Sequence, residues 1–106
     1  MKPKVLITDD VHPSLPEGLR AEGFEVDYLP TILPETVWQI IPQYEGLVIN
    51  SRVPATRELL QRAARLKFVC RAGSGLEVID LPAAQENGIA AFNSPEGNAV
   101  AVGEHA

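Results

Sequence analysis

A glycine-rich segment preceded by an arginine is the part of the sequence best suited to bind an anion. It reads Arg71-Ala72-Gly73-Ser74-Gly75. Glycine lacks a Cβ and tolerates positive φ, so successive backbone N–H groups can approach an anion closely. The guanidinium groups of Arg52 and Arg71 could add bidentate hydrogen bonds to a carboxylate or a phosphate. The spacing alone is equally compatible with an ordinary glycine turn flanked by surface arginines.

Other ligand-binding patterns are incomplete in this chain. A dinucleotide-binding fingerprint needs a further glycine where Val78 stands, and there is no phosphate-binding loop with a lysine. Asp9-Asp10 is similar to the acidic pair of phosphorylated receiver domains. However, Asn50-Ser51 and Asn93-Ser94 occupy the positions of the acceptor aspartate and the lysine that those domains require. We therefore expect Asp9 and Asp10 to be loop or capping residues.

The two histidines and the cysteine form no recognisable metal-binding or nucleophilic set. His12 and His105 lie near opposite ends of the chain, without cysteines or carboxylates at ligand spacing. Cys70 lies inside an apolar run and is predicted to be a core residue. A single cysteine excludes an internal disulfide and fits a reducing cytoplasm. No apolar run approaches the roughly 20 residues of a membrane span, and no signal-peptide pattern begins the chain.

Charge is unevenly distributed along the 106 residues. The net charge is −5, with 14 acidic against 9 basic residues, which disfavours bulk attraction to nucleic acid or anionic lipid. Residues 52–71, in contrast, hold six basic residues against one acidic residue. This basic stretch could attract a small anion. Arg57, Arg62 and Arg65 are predicted to share one helix, where a solvated helix face is the simpler interpretation.

Five short apolar runs alternate with helical patterns, which predicts one α/β domain. Phe24–Tyr28 alternates apolar with acidic residues, as a strand at the edge of a sheet does. The other four runs are continuously apolar, as in parallel strands buried on both faces. Right-handed crossovers then give a flavodoxin-like, doubly wound, five-stranded parallel sheet of order 2-1-3-4-5, with helices on both faces. The four buried strands are predicted at Lys4–Thr8, Gly46–Asn50, Lys67–Arg71 and Ile89–Phe92.

Helix boundaries are signalled by capping residues, glycines and prolines. Ser14 and Glu17 form a possible capping box, and Pro42 should end the helix that precedes it near Ile41. The remaining start signals are Thr56 and Asp80, and the stop signals are Gly23 and Gly88. In a sheet of this order, ligands bind at the loops that follow the carboxyl ends of the strands, where the polar and glycine-rich segments lie.

The same segments resemble a known family. The chain is similar to the N-terminal part of the D-isomer-specific 2-hydroxyacid dehydrogenases, particularly those that act on 3-phosphoglycerate. The resemblance covers the whole chain. It is carried by Val5–Asp9, Asn50–Arg52, Arg71–Gly75, Ile79-Asp80, Asn87–Ile89, Asn93–Asn98 and Val102–Ala106.

The resemblance implies an NAD-dependent oxidoreductase acting on a D-2-hydroxy acid, with 3-phosphoglycerate and serine biosynthesis as the expectation. Residues 1–106 would be a substrate-binding domain fragment of a cytoplasmic enzyme. The NAD-binding Rossmann domain, which supplies the catalytic residues, would be absent from this chain. The fragment would then be inactive by itself. His105 does not match the family's catalytic histidine.

The resemblance also implies roles for individual residues. Backbone N–H groups of the glycine loop would hold the substrate carboxylate, and the loop after the third strand would line the distal end of the substrate. Asn50 is a departure, because phosphoglycerate enzymes commonly carry arginine there, so one cation is lost. Glu77-Val78 also departs from the family pattern. The implied substrate residues are Asn50, Ser51, Arg52, Ala72, Gly73, Ser74, Gly75 and Asn98, with Ser74 and Val102 on the cofactor side.

A second hypothesis treats the chain as a stand-alone binding or self-associating module. Apolar surface around Val100 and Val102 would be bared without a neighbouring domain, which favours association. Exchange of the terminal segment between two copies is a low-cost route to a homodimer.

Overall fold

A five-stranded, all-parallel sheet forms the centre of the domain. The computed structural model describes residues 3–50, 52–72 and 78–93. The strand order is β2-β1-β3-β4-β5, which confirms the order and the edge position predicted for the alternating strand. The strands are β1 (Lys4–Ile7), β2 (Glu25–Tyr28), β3 (Gly46–Ile49), β4 (Phe68–Arg71) and β5 (Ala90–Asn93).

Short helices connect successive strands. Pro42 ends the regular helix as predicted, since a 3₁₀ turn over Ile41–Gln43 replaces α-helix there. The α-helices of the described residues are α1 (Ser14–Ala21), α2 (Pro34–Ile40), α3 (Arg57–Arg62) and α4 (Leu81–Glu86).

Both faces of the sheet are apolar and buried. Leu47 and Ile49 pack with residues of α2, α3 and α4, whereas Val48 and Cys70 pack on the α1 side with Leu15. Each of these side chains is fully buried. Neighbouring residues of a strand point to opposite faces, so a strand covered on both sides needs a continuous apolar run. This explains why the runs in the sequence identify the strands.

Most of the predicted helix caps are present. The Thr56 Oγ1 atom accepts a hydrogen bond from the Leu59 amide at 3.3 Å, and Asp80 Oδ1 accepts one from the Ala83 amide at 3.0 Å. Gly23 and Gly88 follow α1 and α4 with φ of 99° and 69°, the left-handed conformation that glycine tolerates best.

The capping box predicted at Ser14 is wrong. Pro13 already has helical φ and ψ of −57° and −23°, so Ser14 is the first residue of α1 and lies inside the helix. The Nδ1 atom of His12 accepts the hydrogen bond from the Ser14 amide at 3.1 Å and lies 2.8 Å from Ser14 Oγ. An imidazole therefore satisfies the amide at the start of this helix.

The basic stretch does not form one surface. Arg57 binds Glu86 of α4, Arg62 lies 5.3 Å from the centre of the Trp38 ring, and Lys67 lies 3.9 Å from Glu45. Arg65 lies beyond α3, so the predicted helix shared by three arginines is wrong in this respect. Residue 63 leaves helical geometry with ψ of 70°, and Leu66 then enters the core before β4 begins.

Cys70 lies in the core, as predicted, and this has a consequence at alkaline pH. Burial raises the pKa of the thiol from 9.0 to about 12. Between these values the unfolded chain loses the proton while the folded chain keeps it. Stability should therefore fall as pH rises, by about 1.4 kcal/mol per pH unit for this group. Urea unfolding at pH 8 to 11 should show a steeper decline for the wild type than for Cys70→Ala. Equal slopes would contradict the assignment.

Candidate anion-binding site

The sheet brings several of the predicted site residues to one edge. In the register of β3, β4 and β5, Ile49 lies opposite Arg71, and Arg71 lies opposite Asn93. The Ala72 amide donates to the Ile49 carbonyl at 2.8 Å and so extends the pairing past the end of β4. Asn50, the residue after Ile49, therefore lies at the same carboxyl edge as Ala72.

Arg71 is the last residue of β4 and is half-buried. It has the same parity along the strand as Val69, whose side chain faces α2, α3 and α4. The arginine thus carries a positive charge to the carboxyl edge of a central strand. The structure also places Ala72 directly beside it, at the amino side of the predicted glycine loop.

Arg52 makes a different set of contacts from those expected of a ligand-binding arginine. Its Nη1 atom donates hydrogen bonds to the carbonyl oxygens of Thr8 and Pro30, both at 2.6 Å. Its Nη2 atom donates to the Ile32 carbonyl at 2.8 Å. The side chain therefore connects the segment after β3 to the segments that follow β1 and β2. These three bonds use three of the five N–H donors of a guanidinium.

The backbone of Arg52 is held at the same place. Its amide donates to Asp9 Oδ2 at 3.2 Å, and the Thr8 hydroxyl donates to Asp9 Oδ1 at 2.8 Å. Thr8 is fully buried and Asp9 is 4% exposed. A buried carboxylate with donors on both oxygens is a structural group, and this agrees with the loop role expected for Asp9.

Asp10 is also engaged by a neighbouring side chain. The Tyr28 hydroxyl donates to Asp10 Oδ1 at 2.7 Å, and this bond raises the pKa of Tyr28. Within residues 3–50, 52–72 and 78–93, no three His, Cys, Asp or Glu side chains lie close enough to share a metal ion. In these ranges there is also no helix that has both the length and the apolar character to cross a bilayer.

Several predicted site residues lie outside the described part of the chain, and their implied roles stay predictions. Asn50, Arg52, Arg71 and Ala72 are the predicted residues that the structure places. The contacts of Arg52 with Pro30 and Ile32 were not predicted, because they join positions 22 and 20 residues apart through backbone atoms, which carry no sequence signature. The residues outside the described ranges are Ser51, Gly73, Ser74, Gly75, Asn98 and Val102.

Comparison with known proteins identifies a matching family. The sequence model of the D-isomer specific 2-hydroxyacid dehydrogenase catalytic domain matches residues 5–106. A curated relative, the D-3-phosphoglycerate dehydrogenase of Archaeoglobus fulgidus, is 34% identical over 97% of this chain and 20% of its own length. The chain thus spans about a fifth of that relative.

Solved structures share the fold. A protein of Pyrococcus horikoshii OT3 matches with a TM-score of 0.80 and 26% identity, over 89% of this chain and 28% of the other. The NAD+-bound 3-phosphoglycerate dehydrogenase of Entamoeba histolytica matches with a TM-score of 0.73 and 22% identity, over 88% of this chain and 33% of its own. At that identity the second match supports the fold alone.

Proposed function

The chain belongs to the D-isomer-specific 2-hydroxyacid dehydrogenases, and on this premise we propose that it is the substrate-binding domain of an NAD-dependent oxidoreductase. Its substrate is a D-2-hydroxy acid, with 3-phosphoglycerate as the first candidate. The NAD-binding domain and the catalytic side chains belong to another part of the parent protein. The 106-residue chain by itself is expected to give no turnover with NAD and 3-phosphoglycerate.

The observation that carries this proposal is that Asn50, Arg71 and Ala72 all lie at the carboxyl edge of the sheet, on the neighbouring strands β3 and β4 or directly after them. Parallel α/β sheets bind ligands at this edge. The cation of Arg71 and the backbone N–H groups of Ala72, Gly73, Ser74 and Gly75 would hold the carboxylate of the acid. Asn50 and Ser51 would line its distal end, and Asn98 would contact it from the last segment.

The phosphate of 3-phosphoglycerate adds a second anionic group. The Archaeoglobus fulgidus relative is a D-3-phosphoglycerate dehydrogenase, which supports this substrate. The Arg52 guanidinium binds three carbonyl oxygens, which are dipoles without net charge, so its positive charge persists near the distal end. This charge favours binding of a phosphate. It compensates for the arginine that phosphoglycerate enzymes commonly carry at the position of Asn50.

Binding in this domain would orient the substrate for the reaction. With both ends of the acid held, carbon 2 is fixed relative to the cofactor, which lowers the entropic part of the barrier. The acceptor for the hydride of carbon 2 would be supplied by NAD bound in the parent enzyme. The chain lacks the glycine fingerprint of a dinucleotide site, which agrees with NAD being held mainly by another domain. Ser74 and Val102 would face the cofactor from this side.

Titration of 3-phosphoglycerate into the isotope-labelled chain, followed by NMR, tests the proposal. We expect amide shifts centred on Arg52, Ala72 and Gly73–Gly75, and smaller shifts with D-glycerate, which lacks the phosphate. Inorganic sulfate serves as the control for unspecific anion binding. If neither acid moves these amides at millimolar concentration, the proposed substrate site is wrong. Diffusion measured across protein concentrations in the same samples tests the self-associating alternative, which requires a dimer.

A further inference from the structure

We propose that Arg52 is a positioning residue of the anion site and that its guanidinium does not itself form hydrogen bonds to the ligand. It fixes the segment after β3 against the segments after β1 and β2, and so presents Asn50 to the distal end of the substrate. The inference rests on the proposed function for the identity of the ligand. The contacts of Arg52 itself are independent of that function.

The first argument is the number and the direction of the hydrogen bonds. The guanidinium of Arg52 donates to the carbonyls of Thr8, Pro30 and Ile32 at 2.6, 2.6 and 2.8 Å. A bidentate pair of hydrogen bonds to a phosphate would require the planar guanidinium to turn away from these acceptors. Thr8 is fully buried, so its carbonyl would lose this donor in a place that water does not replace easily. The observed geometry therefore favours the existing contacts.

The second argument is that residue 52 is held by its backbone as well. Its amide donates to the buried carboxylate of Asp9, which also accepts from the Thr8 hydroxyl. Side chain and backbone thus fasten the residue to the same neighbouring segment. Arg52 follows Asn50 by two residues, so this attachment limits where the Asn50 side chain can lie.

The third argument is topological. The order β2-β1-β3 means that the chain direction across the sheet reverses between β1 and β3. The crevice at such a reversal is the usual ligand site of a doubly wound sheet. Arg52 bridges the segments on the two sides of this reversal with its own side chain. Because Arg52 bridges this crevice, a small acid is directed instead toward the ends of β3 and β4, where Asn50, Arg71 and Ala72 lie.

Lysine and methionine at position 52 separate positioning from charge. Lysine keeps the positive charge but lacks the planar fork that reaches three carbonyls, and methionine lacks both. Arg20 offers a matched control, because it is an exposed arginine on α1 that donates one bond, to the Val26 carbonyl at 3.4 Å. Arg20→Lys and Arg20→Met make the same changes of charge and shape away from the site.

Two measurements on the 106-residue chain decide the question. Hydrogen exchange is followed at the amides of Leu29 and Ile32, which donate to the carbonyls of Ile7 and Leu29. Affinity for 3-phosphoglycerate is measured by NMR titration. We expect Arg52→Lys and Arg52→Met to lose at least tenfold in exchange protection at these amides and at least tenfold in affinity. The lysine variant should lose exchange protection as fully as the methionine variant, and the Arg20 variants should match the wild type in both measurements.

Other results overturn the inference. Wild-type affinity in Arg52→Lys with a loss in Arg52→Met would make Arg52 a ligand through its charge. Unchanged hydrogen exchange at Leu29 and Ile32 in both variants would show that the contacts of Arg52 with the carbonyls do not stabilise the segment after β2. Loss of the folded spectrum in both would make Arg52 a residue of global stability. If the wild type binds no acid, the proposed function fails along with the ligand-related part, while exchange at Leu29 and Ile32 still confirms or rejects the attachment of the segments.

Discussion

Replacing Gly46 by alanine is expected to lower the free energy of unfolding by about 2 to 3 kcal/mol, the upper part of the range for overpacking a core. Gly46 begins β3 and lies between Val5 of β1 and Phe68 of β4. A Cβ at this position would lie 2.2 Å from Cζ and 2.6 Å from Cε1 of the Phe68 ring. The ring would have to move for the methyl group to fit.

The Phe68 ring has little room to move. It packs edge-on against Phe24 at 6.0 Å between ring centres and is stacked on Phe92 at 6.1 Å. Only 8% of Phe68 is exposed. A displaced ring would therefore disturb both of its neighbours, and the cost of the methyl group is not relieved by a side-chain rotation into solvent.

Urea unfolding of the wild type and Gly46→Ala measures this cost. The double variant Gly46→Ala/Phe68→Leu is the control, because a shorter side chain leaves space for the added methyl group. We expect the double variant to be more stable than the sum of the two single changes predicts. A Gly46→Ala variant within about 0.5 kcal/mol of the wild type would show that the close approach is tolerated.

Arg71→Met is expected to weaken binding of 3-phosphoglycerate by about 10- to 100-fold, which corresponds to one lost charge-assisted hydrogen bond of about 1.5 to 3 kcal/mol. Methionine retains most of the aliphatic stem, so the half-buried position stays filled. Arg65→Met is the control, since Arg65 is exposed and lies beyond α3. The NMR titration measures both variants. Equal affinities for Arg71→Met and the wild type would exclude Arg71 from the site.

The sheet was predictable because its signals are local. The continuously apolar segment Leu47–Ile49 identifies a strand buried on both faces, and the acidic residues Glu25 and Asp27 identify an edge strand. The start of α1 was mispredicted for a local reason too. The His12 imidazole accepts from its first amide, and Pro13 has the helical geometry that places Ser14 inside the helix and not at the capping position. The pattern of a capping box contains no information about the preceding proline.

The candidate site was predictable only in part. The topology of the sheet is sufficient to bring Asn50, Arg71 and Ala72 to one edge. The partners of Arg52 are not predictable in this way, because they are backbone carbonyls as far as 44 residues away along the chain. Any residue type offers such a carbonyl, so no sequence pattern marks it.

The strand order also determines when during synthesis each strand can find its neighbours. β1 leaves the ribosome first, yet its two neighbours in the sheet are β2 and β3. At translation rates of about 5 to 20 residues per second, the roughly 20 residues from the end of β2 to the end of β3 take about one to four seconds, and β1 has one unpaired edge during that time. β3, β4 and β5, in contrast, are added in the order in which they are translated. The nascent chain therefore passes through one early interval in which one edge of the buried strand β1 is unpaired, and afterwards the sheet grows at a single edge.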